Sequence, residues 1–359
     1  MSKAVKYAQN GAVIFGITNA LLNALNQLEE KKGNLNLKFD WSRLLQAGGK
    51  GALVGGVGGA VIGGIIDWEN SREEPLNTNA IMNRIITDLK LSSEDPVYQT
   101  LSAKAAVIVK LIQSRFKSQL GGKLIKIGST EENTALQEDF DIDITIPFKP
   151  NSFASTSIMF EELFSFLESE YDDKDLVKIR KQKKSIGILY QIGDYDCKID
   201  LVPYKQSKTQ DKTIGYLFVN NNSLFREDSY TKTDISALKS INLTPTQQKL
   251  VVAFKGWKRK LDLPLSSHLL KLLIVEAYKK QPNPIPRAFT GKVLMVARYI
   301  EDNIEERRVV SLENTNNVLT QMPYSEKRQI RTACRRLRED YDYQPNSMLE
   351  YFEPTTSLI

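Results

Sequence analysis

Three patches of this chain carry side chains that one reaction would use together. Gly128-Ser129 closes the short run Lys123-Leu-Ile-Lys-Ile127, and Asp141-Ile142-Asp143 follows roughly a dozen residues later. A third carboxylate, Asp200, stands in Lys198-Ile-Asp-Leu-Val-Pro203. Carboxylates gathered on adjacent strands repel one another unless a cation lies between them, and hard oxygen ligands suit Mg²⁺ or Mn²⁺ shared with a substrate phosphate. Two such ions about 3.5–4 Å apart activate an attacking hydroxyl and steady a leaving pyrophosphate. The backbone N–H groups and hydroxyl at Gly128-Ser129 suit the phosphates of a nucleotide. A lone Gly-Ser is ordinarily a turn, and a lone Asp-x-Asp a solvated strand face. Order and strand context together set these residues apart.

The elements that must hold them are legible. Lys123–Ile127 reads as a strand running into a Gly-Ser turn. Phe140, Ile142, Ile144 and Ile146 alternate with Asp139, Asp141, Asp143 and Thr145, the period of a half-buried strand with its carboxylates on one open face. Periodicity alone does not choose which two of Asp139, Asp141 and Asp143 bind metal. Asp200 lies within another alternating strand that Pro203 is expected to end. Asp194 and Asp196 compete for the same role but sit at or beside the Gly193-Asp194 turn. Strands are expected at Val177–Arg180, Ile186–Ile192 and Cys197–Val202. Asp95-Pro96 caps a long helix in which Leu101, Ala105, Ile108, Leu111, Ile112 and Phe116 recur at helical spacing until Gly121-Gly122 stops it. Ser155–Tyr171 is a second, amphipathic helix. The basic run Lys178–Lys184 is either the wet end of a hairpin or a contact for a nucleic-acid acceptor.

Composition bounds the rest. A chain of 359 residues is comfortable for two packed domains. A net charge of +6 suits a phosphate-rich substrate and is too small for duplex wrapping. Cys197 and Cys334 are isolated, which excludes a disulfide framework and a cysteine zinc site and fits a reducing cytoplasm. The single histidine, His268, excludes multi-histidine metal centres and most histidine-dependent triads. Residues 1–75 differ from the remainder. They hold an apolar helix-like stretch, Ala12–Leu28, and a glycine-rich run from Ala47 to Ile66. This run fits either a close-packed helical hairpin at the enzyme or an oligomer contact, or a membrane-associated or partner-binding segment. No signal peptide is expected.

The ordered set Gly128-Ser129, Asp141-Ile-Asp143 and Asp200 resembles the polymerase-β-type nucleotidyltransferase superfamily. The likeness is greatest to the branch with oligoadenylate synthetase, archaeal CCA-adding enzymes and the cyclic GMP-AMP synthase-like bacterial CD-NTases. It spans about Ile81 to Phe352. Asp141 and Asp143 match the branch's Asp-Ile-Asp-Ile form, which selects them over Asp139. Ala253-Phe-Lys-Gly-Trp-Lys258, Leu265–Leu273, Ser311–Leu319 and Leu349-Glu-Tyr-Phe352 are similar to further helices and the closing segment of that branch. The resemblance implies that Lys255 and Ser267 contact donor phosphates, with Lys271 a further candidate. The alternatives are a solvated lysine and an N-capping serine. Two departures stand out: Asn133-Thr134 replaces the usual Gly-Thr, and the animal enzyme's zinc ribbon is absent.

The implied fold is α/β: a two-lobed polymerase-β-like core with a mixed sheet and spine helix (76–206), a C-terminal helical domain (207–359) and a small helical N-terminal extension (1–75). The implied activity is template-independent nucleotidyl transfer dependent on two Mg²⁺ or Mn²⁺ ions. Asp141 and Asp143 would bind both ions, with Asp200 beside the attacking hydroxyl. Substrates would be nucleoside triphosphates, with ATP or dATP as donor, and the product a cyclic or linear oligonucleotide signal read by an effector protein in bacterial antiviral defence. Alternatives are nucleotide addition to RNA 3′ ends, a protein primer such as Tyr351, or a non-catalytic nucleotide-binding protein. The arginines of the last helix, Ser325–Asp340, are expected mostly to face water.

Overall fold

The computed structural model describes residues 77–353 except 210, 212, 221–228, 240, 281–283 and 311–317. The glycine-rich run and most of Ser311–Leu319 lie outside the described residues. No helix among the described residues is long and apolar enough to cross a membrane.

Strand β2 (Asp141–Phe148) lies at the centre of the site. Its first half alternates as read, with Ile142 and Ile144 fully buried and Asp141 and Asp143 half-buried. From Ile144 onward both faces are buried, because helices cover the sheet there. On one side β2 pairs antiparallel with β1 (Ile125–Ile127), and on the other parallel with β5 (Tyr195–Gln206). β4 (Ile186–Ile192) and β3 (Leu176–Lys181) extend the sheet from β5, giving the order β1-β2-β5-β4-β3. The parallel register sets Asp141 opposite Lys198 and Asp143 opposite Asp200.

Pro203 does not end β5. The β4 ladder stops at Leu201, and β6 (Ile214–Val219) takes over from Tyr204. Pro203 falls between them, where no strand on that side needs its missing N–H. β7 (Ser229–Asp234) then pairs with β6. The sheet thus continues beyond residue 206 into the stretch expected to be helical.

Helix α1 (Thr78–Leu89) precedes the spine helix α2 (Pro96–Arg115), which Asp95 caps by accepting from the Tyr98 N–H. Leu101, Ala105, Ile108, Ile112 and Phe116 face the core as read. The helix ends at Arg115 rather than at Gly121-Gly122, because the chain turns after Phe116 so that Leu120 bridges to Phe148 at the end of β2. With α4 (Thr156–Glu170), which follows the one-turn helix α3 (Gly128–Glu131), α2 closes the apolar core over β2, β4 and β5.

A second apolar core is helical. α5 (Ile235–Lys239) leads to α6 (Pro245–Lys260), α7 (Ser267–Lys280), α8 (Phe289–Asn303), a 3₁₀ turn (Val318–Gln321), α9 (Tyr324–Tyr343) and α10 (Ser347–Glu350). Met82, Ile85 and Ile86 of α1 belong to this core, so its first helix precedes the spine in sequence. Of the five arginines of α9, Arg328, Arg335 and Arg336 are exposed, as expected, but three of the five also make ion pairs. Arg335 pairs with Glu301 at 3.0 Å and Arg338 also with Glu301, tying α9 to α8, while Arg331 pairs with Glu305, just past the end of α8, at 2.6 Å.

Candidate active site

β2 delivers Asp141 and Asp143, and β5 delivers Asp200 on the next strand. One carboxylate oxygen of each lies within 4.8 Å of the others, and among the described residues this is the group of acidic side chains placed to hold a metal ion. Asp139 lies outside this group, and Asp194 and Asp196 sit at the far end of the β4–β5 hairpin. Asp200 is buried, and its Oδ1 accepts from Gln182 Nε2 at 3.1 Å, while Gln182 Oε1 accepts from Ser185 at 2.8 Å. Lys198 Nζ lies 2.8 Å from Asp200 and 3.2 Å from Asp141.

The electrostatics follow from this crowding. Burial, and then repulsion from Asp141 and Asp200, push the Asp143 carboxyl up to about 7. Burial also raises Asp200, against the opposing pull of Lys198. Burial alone would lower the Lys198 ammonium, but its contacts with Asp200 and Asp141 outweigh that and hold it above the ordinary lysine value. A donor set of three crowded carboxylates, two of them raised by burial and mutual repulsion, is one that a hard divalent cation fits.

Gly128 opens α3 directly beneath the acidic strand. Its φ is +83°, and a Cβ there would stand 2.1 Å from Asp143 Oδ2. Glycine therefore permits both the backbone bend and the close approach. The Gly-Ser pair is the start of a single helical turn rather than an open turn. With Ser129 it borders a cavity of about 640 Å³ that Asp141 and Asp143 also line.

The opposite wall comes from α6 and α7. Lys255 is buried rather than solvated, and it donates to the Thr134 carbonyl at 2.9 Å. Burial, followed by repulsion from Lys258, lowers its ammonium to about 8. Ser266, not Ser267, caps α7 by accepting from the Leu269 N–H at 3.2 Å, and Ser267 lines the cavity. Lys271 is buried against Glu132 at 2.6 Å. The structure thus gathers Gly128, Ser129, Asp141, Asp143, Lys255, Ser267 and Lys271 around one cavity, with Asp200 completing the carboxylate group behind it. Tyr351 is not among the lining residues, and its hydroxyl donates to Asp340.

Neither a protein-family model nor a curated protein matches the sequence. Solved structures do match in fold. CdnG of Bradyrhizobium diazoefficiens, a CD-NTase in complex with GTP, aligns with a TM-score of 0.61 and 11% identity over 77% of this chain and 96% of that one. CdnC of E. coli MS115-1, solved with ATP, aligns with a TM-score of 0.59 and 16% identity over 76% of this chain and 96% of that one. The fold is that of the CD-NTases. DncV, the cyclic AMP-GMP synthase of Vibrio cholerae, aligns with a TM-score of 0.50 and 14% identity over 79% of this chain and 83% of that one.

On this CD-NTase fold, sequence reasoning had not singled out Lys198, Gln182 or Glu132. Lys198 lies two residues before Asp200, so strand period alone puts both on one face. Glu132 and Gln182 carry no such signal, because their partners Lys271 and Asp200 lie on other elements.

Proposed function

We propose that the protein is a metal-dependent, template-independent nucleotidyltransferase that joins nucleoside triphosphates into a short cyclic or linear oligonucleotide signal and releases pyrophosphate. The observation that carries this reading is the convergence of Asp141, Asp143 and Asp200 within 4.8 Å at a cavity also bordered by Gly128-Ser129 and by Lys255, Ser267 and Lys271. Asp141, Asp143 and Asp200 would hold the divalent ions, Mg²⁺ or Mn²⁺, which when bound supply charge neutralisation and activation of the acceptor hydroxyl. The chain's own part is chiefly positioning and electrostatic stabilisation. Gly128 and Ser129 bind phosphate oxygens through backbone N–H and hydroxyl. Lys255, Ser267 and Lys271 fix the triphosphate from the helical wall. Asp200, held by Gln182, would help to activate the acceptor hydroxyl.

The CD-NTase fold supports a signal product over an RNA-end activity. DncV is described as a cyclic AMP-GMP synthase, and CdnC has been solved in a complex with a HORMA protein. A role in bacterial antiviral signalling, with an effector protein reading the product in the cytoplasm, extends this reading. The test is incubation of the full-length protein with ribo- and deoxyribonucleoside triphosphates and Mg²⁺ or Mn²⁺, without nucleic acid, followed by mass spectrometry. Short oligonucleotides that vanish in D141N/D143N are expected. Product that survives the double substitution in a folded protein would sink the assignment. Silence alone, with extension of added tRNA, would move the acceptor to an RNA 3′ end.

A further inference from the structure

We propose that Lys198 is a resident counter-ion of the acidic site: its ammonium occupies the gap between Asp141 and Asp200, gathers the carboxylates before substrate arrives, and leaves when a divalent ion enters. The inference rests on the nucleotidyltransferase reading and adds the step by which the site is filled.

The ladder imposes the arrangement. Parallel pairing sets Lys198 directly across from Asp141, two pairs along the ladder from Asp143 and Asp200. Because side chains two residues apart share a strand face, Lys198 and Asp200 project to the same side. The ammonium therefore meets Asp141 Oδ2 at 3.2 Å and Asp200 Oδ2 at 2.8 Å at once. These are two of the three carboxylates placed to share an ion. One ammonium carries a single charge against three carboxylates, whereas a divalent ion brings twice that charge into the same space. Two cations cannot share the gap without strong repulsion at such distances.

The surroundings suit an exchange. Lysine is a compact point charge on a flexible stem, without the bidentate fork that would clamp an arginine to the carboxylates. Its side chain is 30% exposed, so it has a path to solvent. Asp200 would not swing away when Lys198 leaves. Its other oxygen, Oδ1, is held by Gln182, and Gln182 is held by Ser185. Displacement frees Oδ2 on a carboxylate that stays in place. Lys198 thus keeps the site assembled when empty and weakens bare metal binding by competition.

The test measures Mn²⁺ binding to the full-length protein without nucleotide, by electron paramagnetic resonance of the free ion. K198M is expected to bind Mn²⁺ about tenfold more tightly than the wild type. The same variant should melt lower than wild type without metal and gain more from Mn²⁺. The wild-type protein supplies a second readout. Brief acetylation followed by peptide mass spectrometry should modify Lys198 several-fold more when Mn²⁺ is saturating, with Lys178 unchanged. Equal or weaker Mn²⁺ binding by K198M, or Lys198 labelling that ignores Mn²⁺, would overturn the inference and leave the metal site standing. Wild-type protein that binds no Mn²⁺, or D141N/D143N that binds it equally well, would overturn the metal site and this inference together.

Discussion

Asp143 is the residue on which the metal-free site is least comfortable. Burial and the charges of Asp141 and Asp200 raise it from 3.8 to about 7. A carboxyl raised in the folded state binds more protons folded than unfolded, so its stabilising contribution is complete below the unfolded value and is lost as pH climbs toward the folded one. Metal-free protein is therefore expected to lose a few kcal/mol between about pH 4 and pH 7 that D143N does not lose. Thermal melts of the two proteins across that window decide it, and parallel curves would refute the assigned cause. Saturating Mg²⁺ should restore the wild type most strongly at the alkaline end, where Asp143 must be charged. Glu132 poses the converse case. It occupies Lys271 at 2.6 Å on the wall assigned to the triphosphate, and Glu131 also lines the cavity. E132Q should bind a non-hydrolysable ATP analogue roughly three- to tenfold more tightly in calorimetry. Weaker binding would mean that Glu132 orients Lys271 rather than competing for it. At this scale the acidic residues were legible because a strand's period declares its faces. Lys198 shared that period with Asp200, yet its contact with Asp141 depends on a register between strands more than fifty residues apart. Ser267 shows the same limit, since only the three-dimensional start of α7 reveals that Ser266 takes the cap.

At the scale of elements, α3 is one turn long, and its geometry hangs on its first residue. Gly128 combines a φ of +83° with a Cβ position 2.1 Å from Asp143 Oδ2. Gly193, in the β4–β5 turn, has a φ of +60° but nothing within 4 Å of its Cβ position. G193A therefore suffers only left-handed strain, about 1 kcal/mol. G128A suffers that strain and also forces the metal-binding carboxylate aside, and its turnover should fall at least about a hundredfold. Comparable activity in the two variants would show that α3 does not need to approach β2 so closely. The sequence announced β2, β4 and the spine helix, each with a long apolar period. It was less informative where tertiary pairing overrides a local signal. Pro203 normally stops a strand, but here it sits in the interval where β4 gives way to β6. β7 is Ser-Tyr-Thr-Lys-Thr-Asp and buries only Thr233, so it offers no alternation to read. The basic run before β4 proves to be mixed. Lys181 pairs with Glu161 and Gln182 turns in to Asp200, while Lys178, Arg180 and Lys183 are exposed.

At the scale of the whole described body, the site belongs to the join between two apolar cores. The sheet core carries the carboxylates, and the helical core carries Lys255, Ser267 and Lys271. The chain crosses between them in the segment from Gly128 to Asp139, and the helical side grips that segment repeatedly. Lys271 meets Glu132, Lys255 meets the Thr134 carbonyl, and Arg259 pairs with Glu138. Backbone bonds from Leu91 to Ala135 and from Gln137 to Leu89 fasten the same segment to the end of α1. Leu136 is the apolar anchor, 4% exposed and packed within the helical core although it lies only five residues before β2. A division of the sequence at residue 206 could not show this, because the helical core recruits α1 from before the spine and Leu136 from the middle of the site. L136A should create a cavity costing about 2–4 kcal/mol. The same change loosens the segment that follows Gly128-Ser129, so affinity for a non-hydrolysable nucleotide should fall several-fold while Mn²⁺ binding to the carboxylates changes little. Melting temperature, nucleotide affinity and Mn²⁺ affinity measured on one preparation separate the possibilities. Lost stability with intact nucleotide affinity would show that the helical core supports the segment without shaping the phosphate site. Joint loss of stability and nucleotide affinity, with Mn²⁺ retained, would place phosphate binding under the control of the join.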